Sequence, residues 1–430
     1  MMAVALGAIS RPARAEPPIA VRALFTHPTE LAAWLAGHDA PTEAARARHD
    51  AALETAHQAS LRPNPQLSAS AGGLVLGATN PSSPRLGLGQ TMSFTGELSE
   101  MFELGKRGPR QQAARLRAHE AAETSTAVLG ARTGEATTTL GKLAYVATRR
   151  AVVATNLAAA RELLGLERIR RDHQDLAGVE LARIELDTQQ LELQLGRSDA
   201  DVATAVAQCA ALLRTACAAD DLAGAGTLDA GAPLPTRLPA PGVAIRQRPA
   251  REASRLEARA LGADAALAAH RWIPDPTVGV GYTYDNLTIA GNQPQTAMLS
   301  LSFALPVFDR GEHDAAAARA MARAVLSEDE AAAREAGGEV EALLAQREAL
   351  QATLGALDGE AIPKSTTIVQ QTRRAFDLGQ ASLSDLLLAE RAHRELLLEV
   401  LDTRFDLFNV RAQLRQQLGL DDEAARGVAP

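Results

Sequence analysis

The chain has 430 residues, enough for two to three ordinary domains or one long extended one. Against 52 Asp and Glu stand 44 Lys and Arg, and the net charge of −8 excludes the basic stripe of a nucleic-acid binder. With 46% hydrophobic and 22% charged residues, disorder is excluded and a core can be buried, although aromatic residues reach only 3%.

In chain order, residues 1–15 read as a candidate signal peptide. Met1 to Ile9 is apolar and Ala13-Arg14-Ala15 is an A-x-A site, but the positive n-region is missing. Residues 16–62 form an N-terminal segment with a first helix. Residues 63–106, rich in Pro, Gly and Ser, predict a first β-hairpin. In 86–94, Leu86, Leu88, Met92 and Phe94 alternate with Gly87, Gly89, Thr91 and Ser93, and 65–75 repeats the theme more weakly. Residues 107–219 predict a first helical hairpin, whose outgoing helix to about 175 lacks Pro after its first turn and would span about 100 Å. Residues 220–249 are a Pro/Gly-rich linker and 250–272 a helix. A second β-hairpin follows in 273–309, where Val278, Val280, Tyr282 and Tyr284 alternate with Gly279, Gly281, Thr283 and Asp285. Within it, Ala297, Leu299, Leu301, Phe303 and Leu305 alternate with small residues and Met298. Residues 310–420 form a second helical hairpin with Pro363 as its one interior breaker, and 421–430 is a tail.

The chain reads as a tandem duplication. Arg62-Pro63-Asn64-Pro65 corresponds to Ile273-Pro274-Asp275-Pro276, and Lys106-Arg107-Gly108 to Asp309-Arg310-Gly311. No uncharged apolar run of 18 residues occurs, which removes a transmembrane helix but leaves barrel strands of about ten alternating residues. One face of the strands is apolar, with Val280, Tyr282, Leu299, Leu301 and Phe303 as candidate lipid-facing residues; the other is small or polar. A soluble sheet on a core would show the same alternation. Four strands in two hairpins cannot close a barrel, and an open edge is not viable in lipid, so a membrane role requires oligomerisation; three chains give twelve strands.

Catalytic and ligand motifs fail on inspection. Gly105-Lys106-Arg107 lacks the rest of a phosphate-binding loop, and Gly87-x-Gly89 and Gly279-x-Gly281 lack a third Gly. The nine His are scattered and read as surface residues, so no metal site and no cofactor is expected and the chain is not read as an enzyme. Cys209 and Cys217 would lie about 12 Å apart in a continuous helix, too far for a bridge. A helix ending near Arg214 would let the chain fold back and join them; two small buried thiols are the preferred reading. At the second helical turn, Gly379 suits an αL position ending one helix, and Ser382 with Asp385 at N3 suits a capping box starting the next. A ring of Asp385 carboxylates, one per copy, would also favour cations at a narrow mouth. Gly178 and Glu180 hold the corresponding places in the first copy.

Over residues 40–420 the chain resembles the outer-membrane factor family, the TolC-like exit ducts. The resemblance rests on the duplication, on Pro63-Asn64-Pro65, on Phe102-Glu103-Leu104-Gly105-Lys106-Arg107-Gly108, on Leu305 through Gly311, and on Gly379 through Glu390. It implies a mainly α fold with a β-barrel part: four barrel strands and long antiparallel helices per chain, joined in a trimeric α/β-barrel duct. It implies a homotrimer in outer-membrane lipid that extends into the periplasm of a Gram-negative bacterium. Partners would be a periplasmic adaptor (membrane fusion) protein and an inner-membrane RND-type pump. Adaptor docking would fall on the tip turns at Gly178, Gly379, Ser382 and Leu383. Asp385 matches the first acidic gate position of such ducts; Leu388 stands at the second, so the constriction carries fewer charges. Phe102 through Arg107 is similar to the heavy-metal-efflux, cobalt–zinc–cadmium branch, which makes metal cations the expected cargo. The alternatives are a multidrug or type I secretion duct and, in a different class, a periplasmic coiled-coil scaffold.

Overall fold

In a computed structural model, the structure describes residues 20–73, 83, 87, 91–172, 178–224, 226–286 and 294–428. The proposed signal peptide, the strand residues Leu86 and Leu88, and Leu176 and Ala177 of the first tip turn lie outside them. The helices are α1 (Val21–Thr26), α2 (Pro28–His38), α3 (Ala40–Ser60), α4 (Arg107–Asp172), α5 (Gly178–Leu213), α6 (Thr227–Ala230), α7 (Pro241–Arg246), α8 (Pro249–Ala269), α9 (Glu312–Ala356), α10 (Ile362–Asp377), α11 (Leu383–Gln417) and α12 (Leu420–Arg426). Strands β1 (Gln66–Gly72) and β2 (Ser93–Met101) follow α3; β3 (Thr277–Asp285) and β4 (Gln295–Ser302) follow α8. A π-helical turn, Leu357–Ala361, joins α9 to α10 immediately before Pro363. The extra residue per turn accommodates a proline that lacks an N–H and crowds the preceding turn.

The chain divides into two units, Ala44–Ser125 with Arg246–Glu335, and Met1–Glu43 with Thr126–Ile245 and Ala336–Pro430. In the first, the four strands form one antiparallel sheet in the order β1-β2-β3-β4. The two expected hairpins are therefore halves of a single sheet, because β2 pairs with β3 across the duplication. Strand β2 occupies 93–101, so Thr91 precedes it and Leu98 joins Phe94 on its apolar face. Strand β4 ends at Ser302, which leaves Phe303 and Leu305 beyond the ladder.

Loops at the foot of the sheet are held by charge pairs. Lys106 Nζ lies 2.6 Å from Asp275 Oδ2 and Leu104 N–H donates to the same carboxylate, tying the β2–α4 connection to the start of β3. Arg271 bridges Asp309 and Asp314 at 3.0 and 2.7 Å. Gly105 and Gly311 adopt φ of +75° and +80°. The turn glycine equivalent to Gly311 is thus Gly105, not the Gly108 that the motif alignment suggests.

The second unit has its core where α1, α2, the middle of α4 and the C-terminal parts of α5 and α11 meet. Leu129, Ala136, Leu140, Leu143 and Ala144 repeat at helical spacing on α4 and are buried against Phe25, Leu213 and Phe408. Gly141 and Gly231 supply space. A Cβ at Gly141 would sit 2.0 Å from the Phe408 ring, and one at Gly231 2.1 Å from Phe25. Asp39, at the start of α3, accepts from Arg132 at 2.7 Å and from the Thr42 hydroxyl at 2.8 Å. Burial disfavours its charge, but these bonds prevail and hold its carboxyl below the ordinary range. That stabilisation is present at neutral pH and is lost as pH falls through the lowered value.

Cys209 and Cys217 are joined by a disulfide, with Cα atoms 6.1 Å apart, and the preferred reading as free thiols is corrected. Helix α5 stops at Leu213, Arg214 takes φ +54°, and the chain turns back onto the helix it has left. Closing so short a loop removes about 2–3 kcal/mol of unfolded-chain entropy. Three histidines also depart from the surface reading. His38 stacks on Trp34, His270 hydrogen-bonds the Ala266 carbonyl at 2.7 Å, and half-buried His393 meets Ser365 Oγ at 2.8 Å.

Candidate functional site

Two features carry functional geometry, and each lies within one unit. The first is the sheet. Its register aligns Leu67, Leu98, Val280 and Leu299 as one row across all four strands, with exposures of 79, 56, 62 and 77%. Leu301 pairs with Val278, and Tyr282 with Ala297, on that same face. Side chains in this exposed apolar row have no core of the same chain to pack on. The opposite face carries Ser70, Thr95, Thr283 and Thr296 in one row and Ser68, Glu97 and Gly281 in the next. Glu97 accepts a hydrogen bond from Ser300, and Gly279 leaves room for both side chains. Strands β1 and β4 are the edges of the sheet.

The second feature is the turn between α10 and α11. Gly379, at φ +71°, ends α10; its N–H donates to Phe376 O at 2.9 Å, and Gln380 N–H donates to Ala375 O at 2.8 Å. These are the two bonds of a Schellman ending, which needs a left-handed residue. Ser382 then caps α11. Asp385 N–H donates to Ser382 Oγ at 3.2 Å, and Asp385 Oδ2 accepts from the Ser382 N–H at 3.1 Å and hydroxyl at 2.7 Å. The Ser382 hydroxyl, followed by its backbone N–H, holds the exposed Asp385 carboxyl below its ordinary range. It is charged at neutral pH and fixed in direction by its cap. Leu383 and Leu386 are buried with Leu163, Leu164, Leu181 and Ile184, which fastens this turn to α4 and α5. Gly379→Ala is expected to cost about 1–2 kcal/mol through αL strain, read as faster proteolysis at 378–382 with core stability unchanged.

Glu180 is half-buried in the first turn of α5, and Gly178 opens that helix. Leu388 is 69% exposed one turn after Asp385. The strongest polar contact near the turn involves residues that motif reasoning passed over. Asp187 on α5, 5% exposed, accepts from Arg391 at 3.1 Å and from Arg394 at 2.9 and 3.0 Å, both on α11. These side chains border a cleft of about 290 Å³ with Asn156, Gln190 and Gln194. Arg183 adds a hydrogen bond to Ser384. Burial pushes the neighbouring Glu390 carboxyl upward against the pull of Arg373 and Arg394. A signal existed in the sequence. Asp187 falls on the inward stripe of Leu181, Ile184 and Leu191, where a carboxylate must have a cationic partner.

A four-stranded sheet with one apolar and one polar face and long helical hairpins make up a fold shared with several solved outer-membrane proteins. CusC matches at a TM-score of 0.75 and 16% identity, covering 96% of this chain and 98% of that one. The outer membrane protein VceC of Vibrio cholerae matches at 0.72 and 18%, covering 92% and 96%. The outer membrane channel CmeC of Campylobacter jejuni matches at 0.73 and 14%, covering 96% and 90%. Residues 240–420 match the family described as outer membrane efflux protein. None of the curated proteins compared with the chain matches it. The matched family is one of efflux proteins, not of enzymes.

Proposed function

We propose that the chain is the outer-membrane exit duct of a tripartite efflux system, conducting cargo passively from an inner-membrane RND-type pump through a periplasmic adaptor. The observation that carries this reading is the unbroken apolar row Leu67–Leu98–Val280–Leu299 on a sheet of only four strands. In lipid its β1 and β4 edges need partners, and three copies edge to edge close a twelve-strand barrel. The disulfide fits an exported protein, since such bonds persist in oxidising compartments. Cargo moves along the Ser, Thr and Glu face while lipid covers the other. The turn at Gly379–Asp385 and the Asp187–Arg394 contact close the periplasmic mouth, and adaptor helices open it by packing at Gly178, Gly379, Ser382 and Leu383. Heavy-metal cations are the assigned cargo, supported by Phe102 through Arg107 and by the charged Asp385 turn.

Membrane fractionation with a sensitivity panel tests the reading. A detergent-requiring trimer, with a deletion strain sensitised to divalent metals but not to drugs, is expected. Sensitivity to drugs alone would move the cargo to the multidrug class, and a soluble monomer would sink the duct. Asp385→Asn keeps an acceptor for the cap but removes its charge, so cation-over-anion selectivity in bilayer recordings should fall with assembly intact. Equal selectivity in both proteins would remove Asp385 from the gate.

A further inference from the structure

Where the sheet passes into helices, the first unit changes character over a few residues. The connecting segments expose Phe102, Trp272, Leu305 and Phe308, the last fully. In the same segments and the first turns of α4, cations outnumber their partners. Lys106, Arg110, Arg117 and Arg271 are matched by carboxylates. Arg62, Arg107, Arg115 and Arg310 have no carboxylate partner among the described residues. Exposed aromatic and aliphatic side chains next to unmatched guanidinium groups form the arrangement of a membrane–water boundary, where rings sit at headgroup depth and cations meet phosphate.

A cleft of about 420 Å³ opens there between α3, α4 and α8. Leu61, Pro63, Ala113, Ala114 and Leu267 give it an apolar floor, with Thr55, Gln58 and Asp264 as further polar lining. The floor is wide because alanines stand between Arg110 and Arg117, one heptad apart on α4. Arg62, Arg110 and Arg117 stand at the rim. Arg110 and Arg117 are partly satisfied by Glu103 and Asp264, which leaves Arg62 as the cation with open donors. A polar solute would leave the floor unfilled and a neutral lipid would leave the rim charge unmatched. An acidic headgroup with the start of an acyl chain satisfies both.

We propose that this cleft binds an anionic phospholipid of the periplasm-facing leaflet, its phosphate on Arg62 and its glycerol and first methylenes over Leu61, Ala114 and Leu267. The proposal rests on the sheet spanning the outer membrane. Three copies would give the duct a collar of such sites at the foot of its barrel, fixing its depth in the bilayer.

The full-length protein is reconstituted into vesicles holding phosphatidylcholine and phosphatidylglycerol at two to one, re-extracted in mild detergent, and its retained lipid identified by mass spectrometry. Phosphatidylglycerol should be retained severalfold above its share, the enrichment falling with added salt. Arg62→Gln should bring retention down to the vesicle composition, and Arg62→Lys should restore part of it. Recovery at the vesicle ratio from the wild-type protein, or undiminished enrichment in Arg62→Gln, would overturn the proposal while leaving the duct intact. A protein that stays out of vesicles of either composition would overturn the duct reading as well.

Discussion

Arg394→Ala is expected to weaken the closed tip by about 1.5–3 kcal/mol, the range for hydrogen bonds to charged groups. That corresponds to a roughly tenfold to hundredfold higher open fraction in bilayer recordings. Arg394 is only 13% exposed and supplies two of the three bonds on Asp187. Its removal leaves a buried carboxylate with the more exposed Arg391 alone, so Arg391→Ala should have the smaller effect. Asp187→Asn should resemble Arg394→Ala, because two guanidinium groups then face each other without their counter-charge. A double-mutant cycle should show the two changes to be less than additive, since they break the same contact. Unchanged conductance in Arg394→Ala would place the gate elsewhere and leave Asp187 as a structural pair.

Arg415→Ala is expected to be the most destabilising of the substitutions considered, by about 3–5 kcal/mol, because it strands one member of a buried ion pair. Arg415 and Asp421 side chains are 7% and 3% exposed, with Nη2 and Nε donating to Oδ1 at 2.7 and 3.0 Å. The third donor, Nη1, reaches the Pro233 carbonyl. One guanidinium therefore fastens α12 to the end of α11 and holds the segment after α6. Burial raises the Asp421 carboxyl even with Arg415 present, so the pair is held by geometry against a desolvation cost. Stability from Asp421 should then decline as pH rises through its raised value, the reverse of Asp39. The thermal midpoint of the purified protein checks the substitution. Replacing both partners with apolar residues of similar volume should recover much of the loss, and equal midpoints for wild type and Arg415→Ala would refute the assignment.

Much of the candidate site is visible in local sequence. The αL residue at Gly379 and the box of Ser382 and Asp385 depend on contacts within five residues, and both are present. The box also limits the carboxylate ring inferred from Asp385, since one oxygen already accepts two bonds from Ser382. Asp187 was missed because its partners lie about 200 residues away.

The sequence by itself determined the helices and the alternating strand faces, because periods of 3.6 and 2 are written by nearest neighbours. It also determined the turn at Gly379–Asp385, whose glycine and cap act locally. Tertiary structure decided what depends on distant atoms. It joined the two hairpins through β2 and β3, in the register that aligns Leu98 with Val280. It brought Cys217 back to Cys209 through a left-handed Arg214, a conformation that costs energy locally and persists because Cys209, Leu213 and Leu222 share one core. Burial and pairing are properties of the whole chain, and a local pattern can require a partner without saying which residue supplies it.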